Sequence, residues 1–338
     1  MGCICGYALS KSIMPMPFLF GGLISTSTLV MSNKISQFDN YKFPANFRLV
    51  FLSIIAVMIG GTLDQEILNS FTHLWLSLSA MLLFILLAHM ANYLLFFHLG
   101  KYDSVTAFYA GAPGGLVESM TLGEEAGADI RILSVQHFIR IILVIIIVPT
   151  VFFIWKGELL GSAGGIELST VQTQLSDWVI IIILSLMGMI AAGKVKFPAR
   201  QFIVPLLIGA TASLIDYPSF SIPNDLMNIC QLVIGVALGS RFIGITRRLF
   251  LKTVWLGFLS VSFMQVIGLF IAIILITYLE QDLEVLIICF AAGGVTEMSL
   301  IALSLSANPI FVTGHHIFRI VLTVVFIGLI KGNFARPR

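Results

Sequence analysis

Two segments of this chain carry the same unusual arrangement. Ala110-Gly111-Ala112-Pro113-Gly114-Gly115-Leu116-Val117-Glu118-Ser119-Met120 is answered by Ala291-Ala292-Gly293-Gly294-Val295-Thr296-Glu297-Met298-Ser299. A single offset of 179 positions pairs Gly114 with Gly293, Gly115 with Gly294, Glu118 with Glu297, His137 with His316 and Arg140 with Arg319. Five matched glycine or polar positions at one spacing, in otherwise apolar surroundings, mark an internal duplication. The fold must therefore be built twice from one pattern.

The surroundings decide the solvent. The chain has 338 residues, of which 58% are hydrophobic and 11% charged, with mean hydropathy +1.02. A soluble domain carries about a quarter charged residues, so the expected class is an all-α polytopic membrane protein. The net charge of +2 decides nothing, because charge acts here loop by loop. Cys3, Cys5, Cys230 and Cys289 form neither a disulfide framework nor a zinc spacing. They read as small apolar residues. Met1-Gly2-Cys3 suggests N-myristoylation, but Gly6 stands where that motif needs Ser or Thr, which rejects it.

Apolar runs bounded by charge, Pro or Gly predict helices over about 1–9, 15–31, 47–63, 73–97, 104–123 and 130–155, then 178–193, 199–215, 225–240, 253–279, 283–305 and 309–330. Residues 1–156 form a first repeat, 157–176 a polar linker and 177–338 a second repeat. Pro17 and Gly21 resemble Pro205 and Gly209; Ile59-Gly60 resembles Ile234-Gly235; Met1-Gly2 lies over Met187-Gly188. On that alignment the first element lacks the counterpart of Trp178 to Leu186, and the expectation is a missing N-terminal piece.

Matched loops change sign between the halves. Lys34, Lys42 and Arg48 answer Asp216 and Asp225. Asp64 and Glu66 answer Arg241, Arg247, Arg248 and Lys252, and Lys101 answers Glu280, Asp282 and Glu284. Because basic loops face the cytoplasm, the repeats are expected to be inverted. Inversion needs an odd number of crossings, yet six elements are counted in each half. The Gly-Gly element is expected to be the exception, a re-entrant or broken helix turning at Gly114-Gly115 and Gly293-Gly294. With that choice Lys194, Lys196 and Arg200 lie inside, as does the tail of Lys331, Arg336 and Arg338.

Non-helical backbone at membrane depth is tolerated only within protein or beside a wet cavity. The N-terminus of a half-helix favours an anion and its C-terminus a cation. Glu118 and Glu297, in the first turn after each break, can coordinate a cation or carry a proton; the bland alternative is that each caps its helix or pairs with Arg140 or Arg319. His137 and Arg140, like His316 and Arg319, share a helix face. Arginine at mid-bilayer needs a partner, and the hairpin glutamate is the nearest candidate. Ser119, Thr121, Thr296 and Ser299 flank the glutamates as further ligands or backbone partners. The candidate binding set is Gly114, Gly115, Glu118, Ser119, His137, Arg140, Gly293, Gly294, Thr296, Glu297, His316 and Arg319. His315, opposite Gln136, reads as structural, and His73, His89, Asn92 and His98 rank lower. No metal-ligand spacing or nucleotide motif is present, so neither metal nor cofactor is expected beyond bound Na⁺ or a coupled H⁺.

GAPGGLVESM and AAGGVTEMSL, with the downstream His-x-x-Arg, resemble the AbrB membrane-protein family over nearly the whole chain. Members carry labels as regulators of gene expression or as ammonia monooxygenases. The family is more distantly similar to inverted-repeat secondary transporters, a likeness that implies transport. The expectation is then an inner-membrane transporter of a small polar or anionic organic solute, coupled to H⁺ or Na⁺. Its partners are the bilayer and the solute, with homo-oligomerisation open and nucleic acid excluded. A regulator without flux and a metal-dependent monooxygenase are the alternatives; the latter finds no ligand residues here.

Overall fold

The computed structural model describes residues 1–11, 16–32, 43–63, 74–156, 173–197, 199–215, 220–242, 247–279, 281–305 and 307–330. Every regular element among them is helical. In chain order these are α1 (Gly2–Ser10), α2 (Pro17–Met31), α3 (Ala45–Gly60), α4 (Leu74–Leu94), α5 (Ser104–Ala110), α6 (Leu116–Ala126) and α7 (Ile130–Lys156). The later elements are α8 (Leu175–Lys194), α9 (Arg200–Leu214), α10 (Asn224–Gly239), α11 (Arg247–Leu275), α12 (Leu283–Phe290), α13 (Val295–Ser304) and α14 (Pro309–Ile330). A π-turn, Leu95–Leu99, prolongs α4.

Helix starts follow proline and aspartate. Pro17 and Pro309 open α2 and α14, and Pro44 and Pro223 immediately precede α3 and α10. At the first turn a missing N–H is no loss, because that group has no intrahelical acceptor. Asp103 caps α5 by accepting from Thr106 N at 3.0 Å. Among the described residues, five helical segments are long and apolar enough to cross a membrane: Leu74–Leu99, Ile130–Phe152, Leu175–Lys194, Leu249–Leu275 and Pro309–Ile330.

The chain sorts into two compact units, and neither coincides with a repeat. The first holds Met1–Asn69, Pro149–Gly244 and Ser299–Phe311; the second holds Ser70–Val148, Ile245–Met298 and Val312–Arg338. Each unit therefore draws on both halves of the sequence. The linker residues 157–172 lie outside the described residues. So do Lys34, Lys42, Asp64, Glu66, His73, Asp216, Glu280 and the tail from Lys331 to Arg338, along with the side chains of Arg247 and Arg248.

In the first unit α2 packs on α10, α3 on α9, α1 on α2, and α8 on α9 and α3. Two of these contacts are backbone against backbone. A Cβ added to Gly60 would lie 2.1 Å from Leu206 O, and one on Gly209 2.3 Å from Val57 O. The second pairing repeats this: a Cβ on Gly235 would lie 2.1 Å from Leu19 O, and one on Gly22 2.6 Å from Leu232 O. Small residues allow such approach where apolar burial gives helices little reason to associate.

These contacts correct the sequence alignment. Gly22, not Gly21, does the work of Gly209. Gly6, not Gly2, does the work of Gly188: their added Cβ atoms would meet Phe18 Cδ1 at 2.8 Å and Pro205 Cα at 2.7 Å. Contact follows which backbone faces the neighbouring helix, not which letters match.

In the second unit α4 packs on α11 and α5, α5 on α6, and α11 on α12. A buried aromatic cluster that includes Phe96, Tyr102, Phe108 and Tyr109 fixes α5 beside Leu133, Leu256 and Ile327.

Candidate functional site

Both expected breaks are present. Helix stops at Ala110 and resumes at Leu116; in the second copy it stops at Phe290 and resumes at Val295. In the first break Pro113 supplies no N–H to continue a helix, and Gly115 has φ +62°, a left-handed conformation natural to glycine. In the second, Ala291 turns to extended backbone, with φ −66° and ψ 137°. Each break leaves carbonyls behind it and amides ahead of it without helical partners.

The downstream His-x-x-Arg deals with the carbonyls. His137 Nε2 donates to Tyr109 O at 3.2 Å and His316 Nε2 to Ile288 O at 3.0 Å. Arg140 Nη1 donates to Ala112 O and Arg319 Nη1 to Ala291 O, while Arg319 Nη2 also reaches Gly293 O. The 179-residue offset is thus a repeat of contacts as well as of letters.

This corrects the expected partnership of arginine with glutamate: among the described residues, every bond of both guanidinium groups goes to a carbonyl. The reason is electrostatic. The stopped helix ends in carbonyls carrying roughly half a negative charge, and buried carbonyls need donors. A guanidinium supplies both charge and donors.

The glutamates stand on the amide side of each break. Glu118 and Glu297 are the third residues of α6 and α13, where a carboxylate favours the positive helix end. Glu297 folds back on its own helix start, since a Cβ on Gly294 would lie 2.0 Å from its Oε2. The corresponding distance from Gly115 to Glu118 Oε2 is 3.6 Å. Glu297 is buried and Glu118 partly exposed. Ser119 Oγ closes the first break by donating to Gly114 O at 3.3 Å. Thr296 is buried in the first turn of α13. Thr121 instead donates back to Val117 O at 2.9 Å.

One turn of α14 meets both breaks. Arg319 reaches the second through its side chain, whereas its carbonyl lies 3.4 Å from where a Gly114 Cβ would stand in the first. Thr323, one turn on, places Oγ1 3.1 Å from that same point. Arg140 and Arg319 lie within electrostatic range of each other, at 5% and 1% exposure. Two full positive charges facing two helix ends of roughly half a negative charge leave about one positive charge over. Arg140 Nε, Arg319 Nε, His137 Nδ1, His316 Nδ1 and Thr323 Oγ1 are all buried without hydrogen-bond partners among the described residues. Such orphaned groups each cost roughly 1–3 kcal/mol.

Sequence reasoning missed Thr323, although it shares a helical face with His316 and Arg319. It ranked Asn92 low, yet Asn92 Nδ2 donates to Gly111 O at 3.2 Å and Oδ1 accepts from Ser260 Oγ at 2.8 Å, tying the first break to α4 and α11. His315 bonds Ser77 Oγ at 2.8 Å. His89 sits edge-on between Phe108 and Phe326, its ring nitrogens without partners. His98 follows on the π-turn and lies against Phe97. Among the described residues no three His, Cys, Asp or Glu side chains gather as a metal-ligand group.

Two curated proteins are similar along much of the chain. "Uncharacterized protein YhjN" of Bacillus subtilis (strain 168) is 26% identical, covering 95% of this chain and 88% of its own length. "Putative regulator AbrB" of Escherichia coli (strain K12) is 23% identical, covering 71% of this chain and 69% of its own. The family described as "Transition state regulatory protein AbrB" matches residues 18–334, a span that includes both breaks and both His-x-x-Arg pairs. With nearly its whole length matched, the chain belongs to the AbrB family.

Proposed function

We propose that this protein is a secondary transporter of a small anionic organic solute, working in a bacterial inner membrane as two inverted repeats. In this reading each broken helix is re-entrant, so that each repeat crosses an odd number of times and the loop charges obey the positive-inside rule. The observation that carries the reading is the pair of buried guanidinium groups, Arg140 and Arg319. They lie within electrostatic range, bond only neutral carbonyls among the described residues, and keep orphaned Nε–H donors. An anion between them would supply the missing acceptor and counter-charge.

Glu118 and Glu297, on the helix starts across the breaks, are the residues for a coupling H⁺ or Na⁺. Two carboxylates against two half-charges leave about one negative charge there, so the site is positive on its arginine side and negative on its glutamate side. That polarity suits a cation and an anion bound together. The reading includes no catalytic step and no resident metal. The Escherichia coli relative is named as a regulator, and a regulator without flux is the competing reading.

Reconstitution decides between them. Proteoliposomes holding the purified protein should accumulate a labelled organic anion when a proton or sodium gradient is imposed. Arg140→Gln and Arg319→Gln should each abolish uptake. Folded, reconstituted protein that moves no anion under either gradient would remove the transporter reading in favour of the regulator.

A further inference from the structure

The orphaned atoms at the breaks differ in kind, and the difference constrains the solute. A carbonyl oxygen only accepts hydrogen bonds. His137 Nε2 at 3.2 Å from Tyr109 O, and His316 Nε2 at 3.0 Å from Ile288 O, must therefore carry the hydrogen. A neutral imidazole with its hydrogen on Nε2 has a bare lone pair on Nδ1. Both Nδ1 atoms are buried without a partner, in side chains of 0% exposure. A third and fourth cation beside two guanidinium groups would be repelled, so the neutral form is the one this site favours.

Each repeat therefore presents two unmet needs, three residues apart on one helical face. An arginine Nε–H needs an acceptor, and a histidine Nδ1 needs a donor. A bare carboxylate meets the first need only. An ammonium beside the carboxylate would meet both, but it would bring another positive charge to the arginines.

We propose that this site takes an oxyanion carrying a hydroxyl beside its negative charge, the anion accepting from Arg140 or Arg319 and the hydroxyl donating to His137 or His316. The chemistry is shared by α-hydroxycarboxylates and by hydrogen phosphate. It rests on the anion reading above and narrows it. Thr323 Oγ1, orphaned beside Gly114, both donates and accepts, and adds a third contact on the α14 side.

The test is binding to purified full-length protein with two matched pairs of probes: glycolate against acetate, and phosphate against sulfate at neutral pH. One neutral hydrogen bond is worth about tenfold in affinity. The hydroxylated member of at least one pair should bind about tenfold more tightly, and the pair that shows it identifies the class.

His137→Phe and His316→Phe supply the control. Phenylalanine keeps the planar ring and removes both ring nitrogens, so no acceptor stands where Nδ1 stood. In the double variant the preference within each pair should fall to near unity. Equal binding within both pairs would overturn this inference and leave the anion reading standing. A preference that survives in the double variant would overturn the role of the histidines. No binding of any of the four anions would overturn the inference and the anion reading together.

Discussion

Gly235→Ala should destabilise the protein by about 2 kcal/mol. The new Cβ would stand 2.1 Å from Leu19 O, where ordinary contact begins at 3.4 Å. The obstacle is backbone, so no side chain can rotate away, and α2 must back off from α10 by more than an ångström. Overpacking of this kind costs roughly 1–3 kcal/mol, and a rigid obstacle places it near the top. Alanine's better helix propensity returns roughly 0.5–1 kcal/mol. Gly328→Ala is the matched control: it also lies within a helix, α14, but its Cβ would meet nothing within 4 Å, so only the propensity gain remains. Unfolding in mixed micelles by titrating a denaturing detergent reads both. A Gly235→Ala protein as stable as wild type would refute the backbone-contact argument. So would a Gly328→Ala protein that loses as much.

Gly60→Ala, the matched contact on α9, should cost a similar amount in the same titration. Thr323→Val removes an orphaned hydroxyl, so melting should hold or rise while solute affinity falls several-fold in the binding assay; unchanged affinity would take Thr323 out of the site. Glu118→Gln and Glu297→Gln should leave expression intact while removing the dependence of uptake on pH or Na⁺, and coupled uptake by the double variant would reduce both residues to helix caps. Burial raises the Asp103 carboxyl, but bonds from Thr106 and neighbouring amides prevail and hold it below the usual carboxylate range. The cap's contribution is therefore present at neutral pH and lost as pH falls through that lowered value. Asp103→Ala should cost about 1 kcal/mol at pH 7 and less in acid, by thermal unfolding. Cysteines placed at Lys101 and Asp282, in loops of opposite charge between matched elements, should react with an impermeant reagent from opposite faces of the membrane. Labelling from one face would contradict inversion.

Helix boundaries were legible because proline, glycine and charge punctuate apolar runs. The predicted 104–123 and 283–305 became α5–α6 and α12–α13, broken at the Gly-Gly pairs as expected. The four residues of the two His-x-x-Arg pairs were legible because duplication singles out what one copy would leave to chance. Their partners were not. Tyr109, Ala112, Ile288 and Ala291 act through backbone carbonyls, which any residue type supplies. Reading only side chains, the glutamates were the only anions in view, hence the expected ion pairs. Thr323 escaped because its counterpart at the same offset is Val144, so the repeat gives no signal there. The shifts from Gly21 to Gly22 and from Gly2 to Gly6 arose because letter matching tolerates a rotation of the helix that backbone contact does not.

The central claim is that an anion binds between Arg140 and Arg319 and is carried across. Charge movement on a solid-supported membrane tests this most directly, because it needs no label and reports binding and translocation together. Proteoliposomes exposed to a jump in organic anion should give a transient current that saturates with concentration, and Arg140→Gln with Arg319→Gln should abolish it in protein that still unfolds cooperatively. A current of undiminished size and affinity in that double variant would contradict the account.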